Sequence, residues 1–420
     1  MKRLLVSASV AMFLLSGCQW IPESSSSKPV VTLWYWNRSL SDDVIQKARD
    51  AFPDVEIVAQ KIGGGEYKTK LHTALIAGRG PDIVAMNDWA YEYVAYTEEF
   101  VNFLDYGAGE VEDEYLDWKW QAVQDPDTGA LIALPIDTGP TALYYRADLF
   151  AEAGLPTEPD EVHELLQTWE DYIEAGKTLK EKTGVYMFES ITKPYLQIIS
   201  QQADKYFAED GTYIGDGEAI QYAWDTSVQI HEAGLSARLS EGQEVNAALN
   251  GGDVASRVGA VWESQILQDA APDTAGKWRV TRAPGGDGNN GGSFISVLNS
   301  SEHKDEAVEI TKWLVSPEAQ LDHYLDVNLF PSAIATLESE TLREPDPFYQ
   351  DQVVADVFVE SAQNIPPTFY GEFYSTINSI FNDEMMLIDR TNKNPDQAWQ
   401  DAQKQAEREL SRLVPEGGEQ

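Results

Sequence analysis

Val30-Val31-Thr32-Leu33-Trp34-Tyr35-Trp36 is an unbroken run of β-branched and aromatic residues, the pattern of a strand buried on both faces. Ser41 follows as an N-cap, with Val44, Ile45, Ala48 and Phe52 at helical spacing until Pro53 stops the helix. Val55 to Ala59 predicts a second strand. Gly63-Gly64-Gly65 leads into a helix with Tyr67, Leu71, Ala74 and Leu75 on one face, ended by Gly78 and Gly80, and Pro81 to Met86 predicts a third strand. Strand, helix, strand, helix, strand in this order predicts a parallel α/β layer whose ligands bind beyond the carboxyl ends of the strands.

Those strand ends carry Trp36-Asn37-Arg38, Gly63-Gly64-Gly65-Glu66 and Asn87-Asp88-Trp89, so aromatic, amide and carboxylate groups converge on one edge. Each aromatic taken singly also fits core packing, and Glu66 also fits a helix-start carboxylate facing the dipole. Further on, Ala130 to Ile136 predicts a strand ending in Asp137-Thr138-Gly139-Pro140, followed at once by another from Thr141 to Tyr145. From about 150 to 245 the spacing is helical. Val258 to Trp262 and Ser293 to Leu298 return to strand character, and the Gly/Asn-rich stretch from Gly285 to Gly292 is either a crossing between lobes or a surface loop. Asn394-Pro395-Asp396-Gln397 opens a last helix with Ala398, Ala402, Ala406 and Leu410 on one stripe, and nothing in it suggests chemistry.

Of the 420 residues, 43% are hydrophobic, which is core enough for two domains and excludes an intrinsically disordered chain. Lys and Arg number 30 against 70 Asp and Glu, and the net charge of −40 argues against nucleic acid as a partner. Met1-Lys2-Arg3, the apolar run from Leu4 to Leu15 and the small pair Ser16-Gly17 have the layout of a secretory leader, too short for a permanent membrane span. Leu15-Ser16-Gly17-Cys18 is similar to a bacterial lipobox, which makes Cys18, the only cysteine, the expected lipidation site; an ordinary signal peptide that happens to contain a Cys is the alternative. Ser24 to Pro29 reads as a polar tether. The 5 His show no metal-ligand spacing, no nucleophile elbow, P-loop or dinucleotide fingerprint occurs, and so many carboxylates make any acidic pair uninformative about glycosidase chemistry. No cofactor or metal is implied.

Gly78-Arg79-Gly80-Pro81-Asp82-Ile83-Val84, and Leu134-Pro135 followed by Leu143-Tyr144-Tyr145-Arg146-Ala147-Asp148-Leu149-Phe150-Ala151-Glu152-Ala153-Gly154-Leu155-Pro156, resemble the extracellular solute-binding lipoproteins of bacterial ABC importers. The likeness is to the carbohydrate-binding group related to maltose-binding protein, in which Asn is common where this chain has Arg146. Asn250 to Ala255 leading to Gly259-Ala260-Val261-Trp262, Gly291 to Ser296, and Lys304 to Gln320 extend it over nearly all of residues 30 to 412. The resemblance implies a two-lobed periplasmic-binding-protein fold of type II, each lobe a mainly parallel sheet flanked by helices with the ligand cleft between them. It divides the chain into a signal peptide (1–17), a lipidated Cys and tether (18–29), an N-terminal lobe (30–137 with about 292–335), a C-terminal lobe (about 138–291 with 336–412) and a tail (413–420). It also implies a non-enzymatic, monomeric receptor held outside the cell membrane by the lipid on Cys18, delivering ligand to the permease subunits of an ABC transporter.

Sugars present apolar faces rimmed by hydroxyls, which suits aromatic platforms edged with carboxylates and amides. The expected ligand-binding set is Trp36, Asn37, Glu66, Asp88, Trp89, Asp137, Tyr195, Trp262, Glu263, Gly292, Phe294 and Tyr370, with Tyr374 beside the last. Asp137 also fits a turn cap, and Trp262 also fits the core. The loops hold few cations, Arg38 and Lys61 being near, which points to a neutral sugar over a phosphorylated or uronic one. An aromatic cage for a cationic osmolyte such as betaine is the alternative, and a carbohydrate-active surface enzyme the next.

Overall fold

The computed structural model describes residues 28–240 and 242–413, so the expected leader, Cys18, most of the tether and the end of the tail lie outside the described residues. The opening run forms β1 (Val30–Tyr35), followed by α1 (Asp42–Ala51), β2 (Glu56–Lys61), α2 (Gly64–Ile76) and β3 (Ile83–Met86). Ser41 caps α1 as its sequence context predicts, its Oγ accepting from the Asp43 and Val44 amides at 3.1 Å each. β1 lies between β2 and β3 and runs parallel to both. Leu33, Val84, Leu71 and Val44 fill the space between this layer and its helices.

Downstream come α3 (Asp117–Gln121), β4 (Leu134–Pro135), β5 (Thr141–Arg146), β6 (Ser256–Ala260), β7 (Trp278–Arg282) and β8 (Phe294–Val297). The first sheet has the order β2-β1-β3-β8-β4 and the second β6-β5-β7. β8 returns to the first sheet antiparallel to β3, with Met86 opposite Phe294, and β4 pairs with its far side. Two expectations change here. The run from Ala130 to Ile136 contributes only Leu134 and Pro135 to the ladder, because Leu131 is taken up by a separate bridge to Gln124. The second sheet is antiparallel throughout: β5 leaves the first lobe at Thr141, while β6 and β7 end opposite Thr141 and Ala142, each bringing the chain back to the same edge.

Three stretches cross between the lobes and are stitched to one another. The Thr138 amide donates to the Phe330 carbonyl at 2.7 Å, the Asn290 amide to the Gly139 carbonyl at 2.9 Å and the Thr141 amide to the Gly288 carbonyl at 3.0 Å. The Gly/Asn-rich stretch is thus one strand of a hinge and not a free surface loop. In the second lobe, Trp169, Tyr172, Tyr195, Trp224 and Phe381 form one core, and the Ala398, Ala402 and Ala406 stripe packs into it. Tyr144, Trp278 and Phe358 centre another beneath the second sheet. No helix among the described residues is long and apolar enough to cross a membrane.

The Gly-Arg-Gly-Pro-Asp turn shows why these residues sit together. A Cβ on Gly80 would lie 2.6 Å from Leu298 Cδ1, so any larger residue there would force the Leu298 side chain to move where the turn closes onto the end of β8. Asp82 then binds three groups: the Thr32 amide and hydroxyl at 2.7 and 2.8 Å, and the Ser301 hydroxyl at 2.6 Å. Hydrogen bonds to a charged acceptor contribute about 1.5–3 kcal/mol each and do not add fully. Asp82→Ala is therefore expected to destabilise the protein by about 2–4 kcal/mol in urea denaturation, with the Asp82→Asn variant intermediate.

Candidate functional site

The ends of β1, β3 and β6 meet the hinge at one place. Trp36 and Arg38 follow β1, Asn87 and Asp88 follow β3, and Val261 and Trp262 follow β6. With Asp137, Thr138, Asn290 to Ser293 and Asn328 to Phe330 they line a pocket of about 300 Å³ between the lobes. Arg38 sits in a left-handed turn at φ 66°, which swings the chain out of the sheet directly after Trp36. Asp137 is fixed by a hydrogen bond from the Ser293 amide to its Oδ1 at 2.6 Å, so one hinge strand orients a carboxylate carried by another.

The charges here are unusual. Burial pushes the Asp88 carboxyl up to about 6, against the opposing pull of the Lys119 ammonium, and burial also raises Asp137. Lys119, from α3, is 1% exposed. Burial drives its ammonium down to about 7, with Asp137 and then Asp88 opposing. The ammonium lies 3.6 Å from the centre of the Phe294 ring.

Five of the residues expected from sequence converge on this pocket: Trp36, Asp88, Asp137, Trp262 and Gly292. The others go elsewhere. Asn37 is exposed on the turn beside the pocket, outside its lining. Trp89 packs half-buried against Tyr67 and Tyr93. Glu66 is on the first turn of α2 and lines a separate groove with Trp34, Lys70 and Arg79. Tyr195 is fully buried, its hydroxyl 2.7 Å from that of Tyr206, on the face of its helix that packs with Ile198 and Ile199 into the core of the second lobe. Glu263 turns away from Trp262 into a buried cluster, 2.8 Å from Arg257 and 3.1 Å from Lys193. Phe294 is a core residue of β8 that reaches the site only as the surface under Lys119.

Tyr370 belongs to a neighbouring part of the cleft. Its ring stacks on Tyr91 of the first lobe, centroids 3.7 Å apart and planes 9° from parallel, and Tyr374 meets both edge-on. The Ser375 amide donates to Glu92 at 3.3 Å, and Tyr96 bonds Glu372 across the same gap. The stacked rings also form part of the wall of a second cavity, an outer one of about 450 Å³, with Asp125, Asp204, Glu209 and Phe369.

Lys119 and Tyr91 were not anticipated, while Asn87 and Thr138 were placed at the strand ends by the sequence but left out of the expected ligand set. For Lys119 a signal existed: it is flanked by Trp118 and Trp120 in a short helix, and a lysine between two buried indoles has no solvent to point at.

Two sheet-based lobes joined by a stitched hinge, with a polar and aromatic pocket at the join, define a two-lobed binding protein of the type II periplasmic class. Residues 38–321 match the family model described as bacterial extracellular solute-binding protein, and the chain belongs to that family. It is 28% identical over 375 residues to a lactose-binding protein of Rhizobium radiobacter, covering 83% of this chain and 86% of that protein. An arabinooligosaccharide-binding protein of Halalkalibacterium halodurans is 26% identical over 410 residues, covering 88% and 86%. A crystal structure of an extracellular solute-binding protein of family 1 is 32% identical and superposes with a TM-score of 0.87 over 90% of this chain and 99% of that one.

The clasp yields a test. An aromatic pair contributes about 0.5–1.5 kcal/mol beyond its area burial. Tyr370→Ala is expected to weaken the contact between lobes and increase the radius of gyration in small-angle X-ray scattering, with the far-UV spectrum unchanged; an identical scattering profile would show that the hinge alone sets the lobe spacing.

Proposed function

We propose that the protein is the sugar receptor of an ABC importer: it takes up a neutral sugar, from mono- to oligosaccharide, between its lobes and hands it to the permease without chemical change. The observation that carries this reading is the pocket itself, where Trp36 from one lobe and Trp262 from the other share a lining with Asp88 and Asp137. Indole faces pack on the C–H faces of a sugar ring, and ionised carboxylates accept charge-assisted hydrogen bonds from its hydroxyls. The names of the relatives support a saccharide over an osmolyte. Two outer cavities of about 450 and 270 Å³, both walled in part by Tyr91 and Phe369, offer room for further sugar rings. Their walls carry Glu92, Asp125, Asp204, Glu209 and Glu372 with no lysine or arginine among the lining residues, which disfavours an anionic sugar.

In this reading the mature protein is a monomer anchored through lipid on Cys18 outside the cell membrane. The substrate lobes are the two sheets with their helices, hinged at residues 137–141, 288–293 and 328–333.

Titration of the protein without its leader against lactose, arabinotriose, maltose and glycine betaine tests the assignment. A neutral saccharide is expected to change Trp emission and raise the melting temperature, since ligand at 100 times its Kd adds about 2.7 kcal/mol to stability. Trp262→Ala is expected to weaken binding at least about tenfold, consistent with the cost of losing one stacked aromatic. Mass spectrometry after long incubation should return the sugar intact. Tight betaine binding with no response to any sugar overturns the reading.

A further inference from the structure

Lys119 and Lys205 are the two fully buried lysines whose surroundings can be compared directly, each 1% exposed. Lys205 is explained by the fold: its ammonium donates to the Ile199 carbonyl at 2.9 Å and the Ser200 carbonyl at 3.4 Å, closing the C-terminal end of the helix Thr192–Ser200. Lys119 has no such duty. Among the described residues its ammonium meets the Phe294 ring but no hydrogen-bond acceptor or close ion-pair partner, and the charges that act on it are Asp137 and Asp88, both lining the pocket. Its place is held open by Gly292, at φ 84°, where a Cβ would lie 2.9 Å from the ammonium and 2.6 Å from the Asp137 carbonyl. The fold thus reserves room for a cation directly behind the pocket wall.

Two carboxylates that share the lining of one partly dry pocket are costly to keep ionised together without a countercharge. A countercharge that does not itself line the cavity leaves their lone pairs free for hydroxyl donors. Resting on the sugar reading above, we propose that Lys119 is a positioning residue: its buried ammonium keeps Asp88 and Asp137 ionised together, which makes the pocket a reader of adjacent hydroxyl groups on a neutral sugar and bars an anionic group from the same place.

The other charged and titratable groups facing this cluster are Arg38 near Asp137, and Glu92, Lys68, Tyr91, Tyr370 and Tyr374 near Asp88. The tyrosines are held far above neutral pH by burial and stay uncharged. Burial pushes Asp88 up to about 6, raises Asp137 as well, and drives Lys119 down to about 7. The bound sugar favours ionised carboxylates and protonated lysine, so affinity falls as pH drops through the first value and also as it rises through the second.

The test uses lactose and arabinotriose as probes, with Kd measured from pH 5.5 to 9 for the wild type, Lys119→Met and Asp88→Asn, each checked for its melting temperature without sugar. The wild type is expected to bind most tightly between the two titrations and to lose affinity on the alkaline side. Lys119→Met should bind at least tenfold more weakly at the wild-type optimum and lack the alkaline limb. Asp88→Asn should move that limb to lower pH, because loss of the nearby anion makes the ammonium easier to deprotonate, and this variant decides the matter if Lys119→Met does not fold. Wild-type affinity in Lys119→Met, a uniform weakening that keeps the alkaline limb, or an unmoved limb in Asp88→Asn overturns the inference while leaving the sugar reading intact. Silence of the wild type towards every saccharide overturns both.

Discussion

The structure depends on one constraint: three crossings of the chain must lie side by side at the join of two otherwise separate cores. There the Thr138 and Asn290 amides meet the Phe330 and Gly139 carbonyls and the Ser293 amide meets the Asp137 carboxylate, which removes unpaired amides from a buried strip. Everything that makes the pocket useful is attached to it. Asp137 is on one crossing and is oriented by the amide of another. Gly292 is on the second and makes room for Lys119, while Phe330 on the third closes the wall. A hinge built this way sets the distance between the ends of β1 and β3 on one side and of β6 on the other, and so sets what can fit between Trp36 and Trp262.

The first lobe was readable because its signals are local. Ser41, Gly80, Pro81 and the β-branched runs each act through neighbours within a few residues, and α1, α2 and the three parallel strands follow from them. The antiparallel second sheet was not readable, since pairing direction there is decided by which strand ends must return to the hinge, a property of the whole path. For the pocket, residues at strand ends were found and residues on helices were misjudged. Trp36, Asp88, Asp137 and Trp262 share an edge by topology. Tyr195 and Glu263 lie where the rotation of a helix decides between cleft and interior, and in both cases the interior won.

Glu263 shows how an acidic residue beside a pocket can be unavailable to it. Its carboxylate is taken by Arg257 and Lys193, and a buried ion cluster of this kind loses several kcal/mol if one partner is withdrawn. Asp88 and Asp137 differ in that they line the pocket while the cation acting on both, Lys119, does not. In the proposed sugar site the same residue type would thus serve as structural cement in one case and as a recognition group in the other.

The stacked Tyr91 and Tyr370 rings have a consequence for time as well as shape. Separating the elements that carry them means parting two aromatic faces, so part of the barrier to that motion belongs to the protein and not to any solute. A solute that entered by this edge would be slowed on its way in and held on its way out by the same contact.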